Sequence, residues 1–160
     1  MVIIRCETGD DVTIEENTLV GASLANLNLH RALLDRSDLT GADLSGTELR
    51  SAWMEEANFA NATLCCANLA ACNASHANFS LANLSGTMMR SGIFEEANFS
   101  NANLNAARVG GACFVKANLK GADVRCEGLE NADLSGALAD ANTQWPENFD
   151  PIQRGVIYAS

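Results

Sequence analysis

A five-residue refrain runs through nearly the whole chain and constrains its fold more than any other feature. It is plainest in Gly92-Ile93-Phe94-Glu95-Glu96, Ala97-Asn98-Phe99-Ser100-Asn101 and Ala102-Asn103-Leu104-Asn105-Ala106. A small residue comes first, then commonly Asn or Asp, then a large apolar residue, then two variable and mostly polar positions. The large apolar positions, here termed centres, recur every fifth residue from Ile14 to Ala139, through Leu39, Leu44, Met54, Phe59, Leu69, Phe79, Leu84, Phe94, Phe99 and Leu119. An internal repeat of this kind has to be settled before any other reading of the chain.

Period five matches neither the 3.6 of a helix nor the 2 of a plain strand. On a helix the centres would smear around the axis, since five residues advance it by roughly 500°. A strand-and-corner unit accommodates them. The centre and the small residue, two apart, point the same way on an extended segment, and the next two residues turn a corner. Glycine stands at the second corner position in Gly41, Gly46, Gly86, Gly111, Gly121 and Gly136, where the lack of a Cβ eases a tight turn. The number of units per coil is also legible. Leu44-Ser45-Gly46-Thr47 returns as Leu84-Ser85-Gly86-Thr87, Met54-Glu55-Glu56-Ala57-Asn58-Phe59 returns as Phe94-Glu95-Glu96-Ala97-Asn98-Phe99, and phenylalanine recurs at 59, 79 and 99. A twenty-residue coil of four units explains all three echoes. It predicts an internal ladder of Leu39, Phe59, Phe79, Phe99 and Leu119, with Asp38, Asn58, Asn78, Asn98 and Asn118 stacked beside it and bonding main-chain groups at the corners.

Tandem Ala-(Asp/Asn)-(Leu/Phe)-x-x in one phase over residues 14 to 139 resembles the pentapeptide repeat family. The resemblance implies an all-β fold, a right-handed quadrilateral parallel β-helix (a β-solenoid) of about six to seven coils at about 4.8 Å per coil. A solenoid has only neighbour contacts, so its ends need covering. The expected organisation is an N-terminal strand cap over 1–13, the β-helix over 14–140, and a C-terminal capping segment with a short helix over 141–160, all one structural domain. Asp150-Pro151 reads as the N-cap and first turn of that helix, and Trp145 and Phe149 as the cover of the last coil. Trp145-Pro146-Glu147-Asn148-Phe149-Asp150-Pro151 is similar to the terminal segment of many cyanobacterial members. One break is visible inside the repeat. Glu127 falls where a small inward residue belongs, and an unpaired buried carboxylate is costly. The expectation is a bulge that turns Glu127 outward, or pairing with Arg108 or Arg125.

Hydrophobic content of 48% with only 6% aromatics suits a thin, repetitive core. No run approaches the length of a membrane span, and Met1–Cys6 lacks the pattern of a signal peptide, so a cytoplasmic location without membrane contact is expected. In the twenty-residue register Cys6, Cys66 and Cys126 share a column three coils apart, and Cys72 lies two coils from the column beside Cys113. None reaches another, and six reduced thiols are expected.

Catalytic chemistry has little to work with. His30 and His76 stand on different corners and coils without a nucleophile imposed by the register. Cys65-Cys66 has no CxxC companion or histidine at metal-ligand spacing, and the glycines recur at corners without forming a phosphate loop. No catalytic residue, cofactor site or metal site is expected, and the chain reads as a non-enzyme. Twenty acidic against ten basic residues, a net charge of −10, disfavours direct nucleic acid binding, because phosphate contact needs a basic face. The resemblance implies two functional classes. Some members are fluoroquinolone-resistance proteins whose acidic rods mimic duplex DNA in the DNA site of gyrase. Another acts in cyanobacterial cell differentiation through a regulator protein. Here Arg36 and Lys116 interrupt the acidic column, so a scaffold for an unidentified protein partner is the expected function, with the DNA-mimic rod as the alternative. The candidate contact patch is Arg50, Glu55, Glu56, Arg90, Glu95 and Glu96. A monomer and an end-to-end homodimer both remain open.

The inside/outside assignment makes a direct prediction. Phe79→Asp places an unpaired carboxylate in the phenylalanine ladder, and Ala77→Trp overpacks a position with no room. Both should abolish cooperative melting or lower Tm steeply, whereas Arg90→Ala should leave Tm nearly unchanged. Equal effects from all three in thermal melts would refute the assignment.

Overall fold

In the computed structural model, which describes residues 1–159, the chain returns to hydrogen-bond with itself every twenty residues. Four columns of parallel β-bridges result. They run Ser23–Asp43–Thr63–Asn83–Asn103–Asp123, Asn28–Glu48–Asn68–Met88–Arg108, Leu33–Trp53–Asn73–Ile93–Cys113–Asp133 and Asp38–Asn58–Asn78–Asn98–Asn118–Leu138. This is a β-helix whose sides are so short that most hold a single bridged residue. The hydrogen bonds follow the pentad. Leu44 N–H donates to the Thr63 carbonyl at 2.7 Å, Thr63 N–H to Ala42 at 2.9 Å, and the corner amide of Ser51 to Ala70 at 2.9 Å. Within each corner the centre's carbonyl accepts the N–H three residues on, as from Ala57 to Met54 at 3.1 Å.

Every regular corner takes the same backbone shape. Its second residue has φ between about +54° and +72°, in glycines such as Gly41 and Gly121 and equally in Asn61, Ala71, Leu81 and Glu96. A positive φ at the third residue of a four-residue turn marks type II. Glycine adopts it freely, Asn tolerates it, and other residues are held there at about 1–2 kcal/mol each. The glycines are therefore the visible part of a demand that falls on every corner.

The two apolar positions of each pentad fill the interior, and the centres from Leu24 to Leu134 are at most 2% exposed. Leu39, Phe59, Phe79, Phe99 and Leu119 form the expected column, with Phe59 stacked on Phe79 at 4.9 Å and Phe79 on Phe99 at 5.0 Å, the rings nearly parallel in both pairs. Phe94 and Phe114 stack in the neighbouring column at 5.3 Å and meet the first stack edge-on. Such pairs add about 0.5–1.5 kcal/mol beyond burial. Ala74 is an undersized centre beneath Phe94. Gly92 stands at the small position of the Phe94 unit, where an added Cβ would lie 2.6 Å from the Phe94 ring. Thr47 and Thr87 take other small positions fully buried, each hydroxyl donating to a main-chain carbonyl.

Beside the phenylalanine stack the asparagines form a ladder of their own. Asn78 Nδ2 donates to Asn58 Oδ1, Asn98 to Asn78 and Asn118 to Asn98, at 3.1–3.3 Å. Each Oδ1 also accepts the N–H two residues on, from Ala60, Ser80, Ser100 and Lys120. Asn58 donates to Asp38 and to the Thr40 hydroxyl. The first rung only has to accept, which suits a carboxylate.

At the N-terminal end β1 (Val2–Ile4) pairs antiparallel with β2 (Val12–Ile14), and Cys6 bridges Ala32 antiparallel, so this segment lies along the first coil. At the other end β3 (Leu138–Ala139) pairs in parallel with β4 (Ile157–Tyr158). Between them Asp150 Oδ1 accepts the N–H groups of Ile152 and Gln153, ahead of a 3-10 turn over Ile152–Arg154. Trp145 stacks on Phe149 at 5.5 Å and donates to the Tyr158 hydroxyl.

The phase of the repeat slips at two places. Arg108 bridges Glu127, nineteen residues on, and Asp123 bridges Gln144, twenty-one on. The corner Val124-Arg125-Cys126 is one residue short, closed by the Cys126 amide on the Val124 carbonyl at 2.7 Å. Cys126 thereby turns inward, Glu127 faces solvent, and a 3-10 turn over Leu129–Asn131 restores the lost residue. Of the two outcomes expected for Glu127 both occur, since it points outward and pairs with Arg108 at 3.4 Å. Gly128 is required there: at φ +81° an added Cβ would sit 2.9 Å from the Gly110 main chain.

The polarity of the asparagine ladder is testable. Asn78→Asp removes the donor to Asn58 and sets oxygen against oxygen, at a cost of about 1–3 kcal/mol. Asp38→Asn keeps the acceptor and should change stability by less than about 0.5 kcal/mol. Denaturant melts of the two single variants separate them, and equal losses would contradict the ladder.

Candidate functional site

The residues picked out from sequence lie on two neighbouring corners of the coil. Arg50 and Arg90 occupy one, two coils apart, and Glu55-Glu56 and Glu95-Glu96 the next, with all six exposed. At the second corner position the charges alternate along the rod. Arg36 holds Glu56 through two hydrogen bonds of 3.0 and 3.2 Å, and Glu96 lies 3.3 Å from Lys116 and 3.5 Å from His76 Nδ1. Hydrogen bonding and charge attraction from Arg36 hold the Glu56 carboxyl below its ordinary pKa. These pairs are solvated and contribute little to stability, but they consume the carboxylates that would otherwise form an anionic stripe. Arg50, Arg90, Glu55 and Glu95 enter no ion pair among the described residues.

Between the two corners runs the bridge column of Leu33, Trp53, Asn73, Ile93 and Cys113. Leu33 is 45% exposed, Trp53 41% and Ile93 43%. Large apolar side chains thus point outward where the pentad usually carries Asn or Asp. The sequence contained the signal, a large apolar residue immediately before a centre in three units of one column, but a search for charged motifs passes over it. A groove of about 350 Å³ opens here, lined by Trp53, Ala71, Cys72, Asn73 and Ile93, with the Arg31–Glu7 pair at its rim. Hydrogen bonds from the Arg31 side chain, and then from the Trp53 indole, hold Glu7 below its ordinary pKa.

The family model of pentapeptide repeats matches in eight copies over residues 18–55, 54–90 and 82–121. The chain belongs to the pentapeptide repeat family. Among similar solved structures is Rfr23, a pentapeptide repeat protein from the cyanobacterium Cyanothece 51142, 28% identical over 79% of this chain and 89% of that one, with TM-score 0.55. HetL, a pentapeptide repeat protein of the cyanobacterium Nostoc involved in heterocyst differentiation regulation, is 21% identical over 84% and 71%, with TM-score 0.50. A trypsin-treated form of QnrB1, a plasmid-mediated fluoroquinolone resistance protein, is 18% identical over 82% and 67%, with TM-score 0.58. No curated protein matches the sequence.

The other polar groups of this pentapeptide repeat protein serve the coil. His30 Nδ1 lies 2.8 Å from the Arg50 carbonyl, at a different corner from His76. Among the described residues no group of His, Cys, Asp and Glu side chains is disposed to hold a metal ion, and no helix is long and apolar enough to cross a membrane. Cys6, Cys66 and Cys126, expected in one column, are separated by the fold. Cys6 is buried in the antiparallel N-terminal segment, Cys66 is exposed at a corner, and Cys126 is turned inward by the short corner. Burial pushes the Cys72 and Cys126 thiols up to about 12. Asp38, Asp43 and Asp133 each accept a hydroxyl and an amide two residues on, from Thr40, Ser45 and Ser135. The hydroxyl bond first, and then the amide, lowers each carboxyl below its ordinary value of 3.8.

Because these three pKa values are lowered on folding, their stabilisation is fully present above the unfolded value and is lost as pH falls through the folded one. Tm should therefore hold between pH 7 and about 5 and decline progressively below about 4. Asn occupies the same position in many other rungs, so the triple variant Asp38→Asn, Asp43→Asn, Asp133→Asn should melt close to wild type at pH 7 with a shallower decline in acid. Parallel declines in the two proteins would rule out these carboxylates as the source.

Proposed function

We propose that this chain is a non-enzymatic protein-interaction scaffold of the cytoplasm. In this reading its working surface is the side that carries Leu33, Trp53, Asn73, Ile93 and Cys113, edged by Arg50 and Arg90 on one corner and by Glu55, Glu56, Glu95 and Glu96 on the other. The architecture it uses is a right-handed quadrilateral coil of about six to seven turns, consistent with four bridge columns at the 4.8 Å spacing of a sheet. Residues 1–13 and 141–159 serve as its end covers, Ser160 lying outside the described residues. The observation that carries the proposal is the outward row of Leu33, Trp53 and Ile93, three large exposed apolar side chains gathered in one bridge column. Aromatic anchors with unpaired charges around them are what protein interfaces use, and the charges set register and partner choice.

The second reading, an acidic DNA-mimic rod directed at gyrase, draws on the net charge of −10 and on the fold shared with QnrB1. Against it stands the alternation of Arg36, Glu56, His76, Glu96 and Lys116 along one corner, which breaks the run of negative potential a duplex presents. A gyrase supercoiling assay at low and moderate salt decides between them. The scaffold reading expects no inhibition at either salt. Potent inhibition that weakens steeply with salt, and is abolished by reversing Glu55, Glu56, Glu95 and Glu96 to lysine, would replace it with the DNA-mimic reading.

A further inference from the structure

Resting on that assignment of the working surface, we infer that the side bearing Trp53 and Ile93 pairs with the same side of a second copy, the two rods lying parallel and side by side. The inference comes from the way charge is laid out across the row. All rungs of the column are bridged in parallel, so every one runs in the same direction. Upstream of each rung lies the corner of Arg50 and Arg90, and downstream lies that of Glu55 and Glu95. These four side chains are exposed and enter no ion pair among the described residues, while the carboxylates beside them, Glu56 and Glu96, are already matched.

Two copies laid face to face can be related by a two-fold axis in the contact plane in two ways. An axis along the strand direction sets the arginine corner against the arginine corner and the glutamates against the glutamates. An axis parallel to the rod makes the facing strands antiparallel, so the arginine corner of each copy lies along the glutamate corner of the other. Symmetry then fixes the register along the rod. Trp53 meets Trp53 and Ile93 meets Ile93 in an isologous contact, Arg50 comes opposite Glu55, and Arg90 opposite Glu95. Both charge pairs match at once because Arg50 and Arg90 are separated by two coils, about 10 Å, and so are Glu55 and Glu95. The rung between presents Asn73, whose Oδ1 accepts the Ser75 amide and hydroxyl and whose Nδ2 is left to donate across the contact, and the small Ala70 and Ala71 at its upstream corner. The apolar row spans about 20 Å along the rod, which places the contact among small, exchanging interfaces rather than permanent ones.

Sedimentation equilibrium from about 10 µM to about 1 mM protein reads the association. Wild type should show a monomer–dimer equilibrium. The double variant Arg50→Glu/Arg90→Glu and the double variant Glu55→Arg/Glu95→Arg should each dissociate at least about tenfold more readily, since each sets like charges against each other at both contacts. An equimolar mixture of the two doubles should regain a mixed dimer close to wild-type strength, because every swapped glutamate then faces an arginine. Trp53→Ser should weaken the dimer without changing the monomer's Tm beyond a few degrees. Wild type that stays monomeric to about 1 mM would overturn the inference while leaving the scaffold reading to its own assay. Charge variants that dimerise like wild type would place self-association at the rod ends and equally overturn it, and so would a mixture that fails to regain the dimer.

Discussion

The coil depends on main-chain hydrogen bonds between successive turns, set one sheet spacing apart. In each pentad three amides point along the rod to carbonyls of the neighbouring coil and one closes the corner. A buried amide left without a partner costs as much as a lost hydrogen bond, so any change of corner shape would break several bonds at once. That is why Leu81, Ala71 and Glu96 accept a left-handed φ that none of them favours. The corner geometry belongs to the coil, and individual residues submit to it or, as glycine and asparagine, suit it.

Given that frame, the side chains divide into two kinds of stack. Inside, phenylalanines stack on phenylalanines at about the coil spacing, their planes nearly parallel. On the surface, like charges stacked at the same spacing would repel, and the rod avoids this by alternation. Arg36, Glu56, His76, Glu96 and Lys116 are such a column. Asparagine is the neutral solution to the same problem, because one amide both donates to the coil before it and accepts from the coil after. A column of aspartates has no such option, and Asp38 stands at the first rung, where only acceptance is asked.

The column of Leu33, Trp53, Asn73, Ile93 and Cys113 follows neither pattern and gathers three exposed apolar side chains, where other columns carry at most one, such as Met88. Apart from the Trp53 indole, which bonds Glu7, these outward apolar groups make none of the hydrogen-bonded ladder contacts that asparagine makes in the neighbouring column. Their exposure, together with unmatched charges on both flanking corners, is the feature of this pentapeptide repeat protein that points beyond its own stability.

The period of five, the twenty-residue echo and the small-centre alternation were enough to derive a β-helix that returns every twenty residues, the Phe59–Phe79–Phe99 stack and the two alternatives for Glu127. They sufficed because repetition fixes every coil by its neighbours: once one pentad's inside and outside are known, all follow. Three features lay beyond that reading. The deletion at Val124-Arg125-Cys126 and its repair over Leu129–Asn131 cancel in the residue count, so the phase after them looks unbroken in sequence although the bridges shift. The pairing of β3 with β4 depends on chain reversal outside the repeat. The candidate surface was half legible: the charged residues stood out as motifs, whereas Trp53 and Ile93, outward by the same periodicity, formed a surface only when the coil set them in one column between those corners. Local periodicity determines which residues face in. Only the closed tertiary path decides which distant residues share a face, because that depends on how many residues each corner consumes.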